Sequence, residues 1–163
     1  QAADHGAQLT EATAAFDTAK TADDALKVGE VAQKAGYTTA EFGKLEWGFA
    51  TTPERIERHG WDYHYGYYDH ERCHGFYPPF LFENGKKVTI QGNTLDDCGK
   101  NPEGKSAENY KKRWDMTGKK VYSENIIMDK LLGYLDVQTK KKNKATLFYI
   151  FSIAITSRTN CNA

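Results

Sequence analysis

Apolar positions recur at three- and four-residue steps through the first sixty residues, the period of an amphipathic helix. Leu9, Ala12, Phe16 and Ala19 form one sparse stripe and predict a first helix. Thr21 precedes Ala22-Asp23-Asp24, a capping residue followed by acids that suit a helix dipole. A second helix is predicted there, with Ala25, Val28, Ala32 and Ala35 inward and Gly36 at its end. Thr38 and Glu41 have the spacing of a capping box, which predicts a third helix carrying Phe42, Leu45 and Phe49 on one side. Thr52-Pro53-Glu54 opens a fourth, which stops before Gly60. Most of these apolar residues are small, so each helix buries little area.

The pattern changes at Trp61. From Trp61 to His70 neither helical nor alternating periodicity is visible, and the stretch reads as an irregular aromatic segment that leaves through Pro78-Pro79 in extended form. Phe80 to Glu83, Asn84-Gly85 and Lys86 to Ile90 then predict a β-hairpin, because Asn-Gly accepts the positive φ angles of a type I′ turn. Residues 92–105 read as loop. Ser106 opens a short helix through Arg113, and Ser123 a longer one to about Gln138 with Ile127, Leu131, Tyr134 and Leu135 inward. A lysine cluster at 140–144 precedes a mostly apolar run, Ala145 to Thr156, shorter than the roughly 18–20 residues a bilayer span needs. That run reads as a strand, with an anchor in a membrane interface or a partner's groove as the alternative. The expected fold class is α+β in a single domain. It comprises a helical part (1–60), an aromatic segment with hairpin and loop (61–105), and a helix with an apolar tail (106–163).

A chain of 163 residues is one domain's worth. Lys plus Arg and Asp plus Glu are both 22, and zero net charge excludes nucleic-acid binding through bulk charge. The Gly36–Gly48 stretch lacks the spacing of a dinucleotide fingerprint, and Asp115-Met116-Thr117-Gly118-Lys119 lacks the elements of a phosphate loop. Aromatics make up 13% against an apolar total of 39%, so the chain is poor in aliphatic core and suited to burying surface against a partner. The first residues, Gln1-Ala2-Ala3-Asp4, carry no Met, which reads as the processed start of an exported or organelle-imported protein, peripheral to a membrane in one version. Three cysteines, Cys73, Cys98 and Cys161, permit one disulfide and one thiol, or three thiols. A Cys73–Cys98 bridge would enclose the hairpin and contribute roughly 3 kcal/mol.

Four of the five histidines, His59, His64, His70 and His74, lie between positions 59 and 74. Two of them frame His70-Glu71-Arg72-Cys73-His74, which has H-E-x-x-H spacing. On an α-helix residues four apart share a face, so two imidazoles can hold one Zn²⁺ while the Glu activates its water. Over these five residues the chain resembles the zincin metallopeptidases. The resemblance implies His70 and His74 as zinc ligands, Glu71 as general base, and the activity of a small secreted zinc peptidase. No His follows His74, so a third ligand would come from His59 or His64, or from Glu83, Asp96, Asp97, Glu108 or Glu124. Ile56-Glu57-Arg58-His59-Gly60, in turn, resembles the segment by which light-harvesting proteins ligate chlorophyll, which implies His59 as a pigment ligand in a photosynthetic assembly.

The composition of the stretch favours a third reading. Trp and Tyr give large contact area with few rotatable bonds, as docking surfaces require. The leading expectation is therefore a non-enzymatic accessory subunit that docks on a larger assembly, membrane-bound and photosynthetic in one version. Trp61, Tyr63, Tyr65, Tyr67, Tyr68, Phe76 and Tyr77 form its contact surface, with Phe148 and Phe151 in a second anchor.

Overall fold

The computed structural model describes residues 22–44, 59–68, 71–141 and 146–150. The first and fourth predicted helices lie outside these residues. Helix α1 (Ala22–Lys34) forms as its capping pattern predicts, and it ends where Tyr37 N donates back to Ala32 O at 3.0 Å around Gly36.

The third predicted helix is instead a strand. Thr38–Lys44 is β1, an interior strand paired in parallel with both of its neighbours, β2 (Tyr63–Tyr67) and β5 (Thr146–Ile150). The capping box at Thr38 and Glu41 is a genuine local signal, but β1 is paired with β5 over Thr38–Phe42 and with β2 over Ala40–Lys44, and its residues from Thr39 onward are buried. Residues 63–67, expected to be irregular, are likewise a strand. Their alternation is hidden because aromatic and His side chains occupy both faces of an interior strand.

The predicted hairpin is present as β3 (Phe80–Glu83) and β4 (Lys86–Thr89), with Asn84 and Gly85 at φ 47° and 81°. Two helices follow, α2 (Ala107–Trp114) and α3 (Ser123–Lys140), close to their expected bounds. The apolar run after the lysine cluster supplies β5 at one edge of the sheet. The fold is α+β: a mixed five-stranded sheet in the order β4-β3-β2-β1-β5, antiparallel over β2-β3-β4.

Alternate residues of β1 and β2 build a core under α3. Ala40, Phe42, Tyr65, Tyr67 and Leu81 pack with Ile127 and Leu131 of the helix. Tyr134 reaches in to stack on Tyr63 at 4.7 Å between ring centres. Each large side chain buried this way contributes roughly 1.5–3 kcal/mol. Outside the sheet, Asn93 fixes the long loop. Its amide donates to Pro78 O and Val121 O, and its carbonyl accepts from Lys120 N and Val121 N, all at 2.8–2.9 Å. A buried side chain with every hydrogen-bonding group satisfied holds three distant segments in register.

Candidate functional site

The residues that carried the docking expectation are mostly interior. Trp61, Tyr65, Tyr67 and Tyr68 are buried, while Tyr63, Phe76 and Tyr77 are half-buried. The cause is packing on the faces of the sheet: Tyr65 and Tyr67 lie under α3 with Ile127 and Leu131, and Tyr68 is stacked between His64 and Phe82. Burial pushes the Tyr65 hydroxyl up to about 12. Burial also raises Tyr67, whose hydroxyl lies near Ser123 and the two thiols, and Tyr63, which donates to Glu83 at 2.6 Å. These phenols stay neutral and serve as core. Phe148 sits in β5 opposite Ala40, and Phe151 lies outside the described residues.

His70 of the zincin-like motif also lies outside the described residues. Glu71 and His74 are exposed, and Arg72–Gly75 is a single 3₁₀ turn that ends at Phe76 with φ 63°. Along a 3₁₀ turn, positions four apart are rotated by about 120°, against about 40° on an α-helix, so the geometry that makes this spacing a zinc site does not form over the described part of the motif. Among the described residues no three His, Cys, Asp or Glu side chains gather as a metal cluster. Glu108 pairs with Lys112 at the surface, and Glu83 is held by Tyr63 and Lys130. His59 is half-buried in a turn whose backbone packs on Gly29 of α1. Cys73 and Cys98 are buried thiols on either side of the hairpin, so of the two alternatives the Cys73–Cys98 bridge is not the one present.

The Glu83 cluster has a measurable consequence. Burial opposes ionisation of Glu83, but hydrogen bonds from Tyr63 and Lys130 and the charge of Lys130 hold its carboxyl below the ordinary 4.5. A depressed carboxyl stabilises the fold above the unfolded value and loses that contribution as pH falls through the folded one. Between about pH 5 and 3 the wild type should therefore lose stability more steeply than Glu83→Gln. Urea midpoints across that range would show the difference, and parallel curves would remove Glu83 as a contributor.

One pair of residues was invisible in the sequence. Glu41 of β1 and His64 of β2 are register partners, both fully buried, and His64 Nδ1 donates a hydrogen bond to Glu41 Oε2. The imidazole stacks on Tyr68 at 5.0 Å. Neither residue lines the hollows described at α2 and α3, and the pair lies within the β1–β2 register.

The surface feature that stands out is α2. Ser106 caps it by accepting from Asn109 N at 3.1 Å, and none of its residues is buried. Asn109 and Arg113 face the chain, with Asn109 Nδ2 donating to Glu103 O and Arg113 to Pro102 O and Gly104 O. Ala107, Tyr110 and Trp114, spaced i, i+3 and i+7, form the apolar stripe and are all exposed, Trp114 at 82%. Met116, just beyond the helix, is also exposed, and a hollow of about 600 Å³ opens beside Trp114 between Tyr110, Lys111, Lys112 and Asp115. The helix is amphipathic with its polar side inward.

No family model matches this chain, and no curated protein sequence matches it. Trp114, Tyr110 and Met116 are residue types enriched in interface cores, and Lys111 and Lys112 give their surroundings positive charge. No helix among the described residues is long and apolar enough to cross a membrane.

Proposed function

We propose that this chain is a non-enzymatic docking module that attaches to a larger protein assembly through the exposed stripe of α2. The observation that carries the reading is the inverted amphipathicity of that helix: polar Asn109 and Arg113 are turned toward the chain, and Tyr110 and Trp114 toward solvent. A helix of this kind suits an apolar groove on a partner, read through anchors at i, i+3 and i+7. Lys111 and Lys112 favour a partner whose groove has an acidic rim. The aromatic docking expected of residues 61–77 is thus relocated to 107–116.

A photo-crosslinking residue placed at Tyr110, compared with one at exposed Lys86 on β4, tests this in the cells that make the protein. A discrete protein adduct from position 110, absent from position 86 and lost with Trp114→Ala, is the expected result. No adduct from either position would refute the proposal. Sedimentation with anionic vesicles in place of a protein adduct would replace the protein partner with a membrane surface. Trp114→Ala itself should shift the stability of the isolated chain by no more than about 0.5 kcal/mol, because the ring packs on little of its own fold.

A further inference from the structure

Helix α3 buries Ile127 and Leu131 against the sheet, and beside that face runs a second, open one. Ile126, Asp129, Lys130, Gly133 and Val137 line a groove of about 540 Å³ that also touches Tyr63 and Tyr134. Two features of this groove need explaining. Glycine in a helix interior is a poor helix former, retained where close packing or function requires it. Yet a Cβ built at Gly133 would meet nothing within 4 Å among the described residues, so their packing does not require glycine there. Val137 is also half exposed on the same flank, with no polar function to explain it.

We infer that this groove is a self-complementary interface, and that its occupant is α3 of a second copy of the chain, lying antiparallel about a two-fold axis at Gly133. The spacing carries the assignment. Ile126, Asp129, Lys130 and Gly133 stand at i, i+3, i+4 and i+7, the four corners of a hole that accepts one side chain from a facing helix. A two-fold axis at Gly133 carries Val137 of one copy into that hole on the other, and the operation repeats itself in reverse, as an isologous contact demands. Gly133 falls where the two backbones come closest, which is where the absence of a Cβ matters.

Charge follows the same symmetry. Asp129 of one copy lies four residues, just over one helical turn, from the level of Lys141 of the other, and both of these residues line the groove. The opposite, parallel arrangement would place Asp129 beside Asp129 and Lys141 beside Lys141. The groove shares no residue with the hollow beside Trp114, so this interface is independent of the docking proposed for α2.

Sedimentation velocity over a concentration series tests the inference on the full chain. The wild type is expected to show a monomer–dimer equilibrium. Gly133→Leu fills open space in the monomer and should keep the fold, verified by circular dichroism, while weakening the dimer at least about tenfold. Asp129→Lys and Lys141→Asp should each weaken it severalfold, and the two together should restore it, because the cross-pair is re-formed with reversed sign. A chain that stays monomeric up to about 100 µM, in the weakest range for a specific interface, would overturn the proposal. So would a dimer insensitive to Gly133→Leu, or charge variants whose effects merely add.

Discussion

Truncation of His64 to alanine is expected to destabilise the protein by about 3–5 kcal/mol, which is the cost of removing one partner from a buried ionisable pair. Both residues are fully buried, and Glu41 would be left in the sheet with neither water nor its imidazole. The far atoms are already demanding: Glu41 Oε1 and His64 Nε2 are buried without a hydrogen-bond partner among the described residues. Replacing both residues together should behave differently. Glu41→Met with His64→Phe keeps an unbranched chain at one position and a ring stacked on Tyr68 at the other, and removes every polar atom the site must satisfy. The double variant is expected to regain the stability lost in the single one, and to match or exceed the wild type. Urea unfolding of the three proteins decides it. A double variant as unstable as His64→Ala would mean that the polar pair itself, and not merely its completeness, holds β1 to β2.

The second large effect is expected two register steps away. Gly43 and Gly66 face each other across the parallel β1–β2 pair, and a Cβ at Gly66 would lie 1.9 Å from Gly43 O. The obstacle is backbone in the middle of the sheet, with no flexible side-chain end to swing aside. Gly66→Ala should therefore cost on the order of 4 kcal/mol or more, in the range reserved for substitutions that break the architecture. Expression yield and thermal unfolding measure it. A variant within about 1 kcal/mol of wild type would show that the two strands are further apart than this register places them.

Both effects fall in the part of the fold that the sequence concealed. The hairpin was legible because Asn84-Gly85 is a local signal, and so were α1, α2 and α3, whose starts and periods lie within a few turns of each other. Strand β1 was misread because Thr38 and Glu41 match a helix start locally, while its true partners lie at 63–67 and 146–150. Strand β2 was misread because Tyr63, Tyr65 and Tyr67 on one face and His64 and Tyr68 on the other erase the polar alternation that marks a strand. The Glu41–His64 pair, 23 residues apart, exists only once those two strands are paired. The α2 stripe is a subtler case. Ala107, Tyr110 and Trp114 are plain in the sequence, but the same spacing marks a helix turned inward. Only the bonds from Asn109 and Arg113 to the 102–104 loop reveal the direction it faces.

The pairing of β1 with β5 also imposes an order in time. Thr38 and its partner Thr146 are more than a hundred residues apart, so one neighbour of β1 is made long after β1 itself. At 5–20 residues per second, a ribosome delivers β5 roughly 5–20 s after β1. Throughout that interval one edge of β1 has no strand to pair with, and the hairpin and α3 are complete before the sheet can close. The nascent chain therefore waits with its central strand open along one side, and its yield in the cell depends on how well that edge is shielded until translation reaches Ile150.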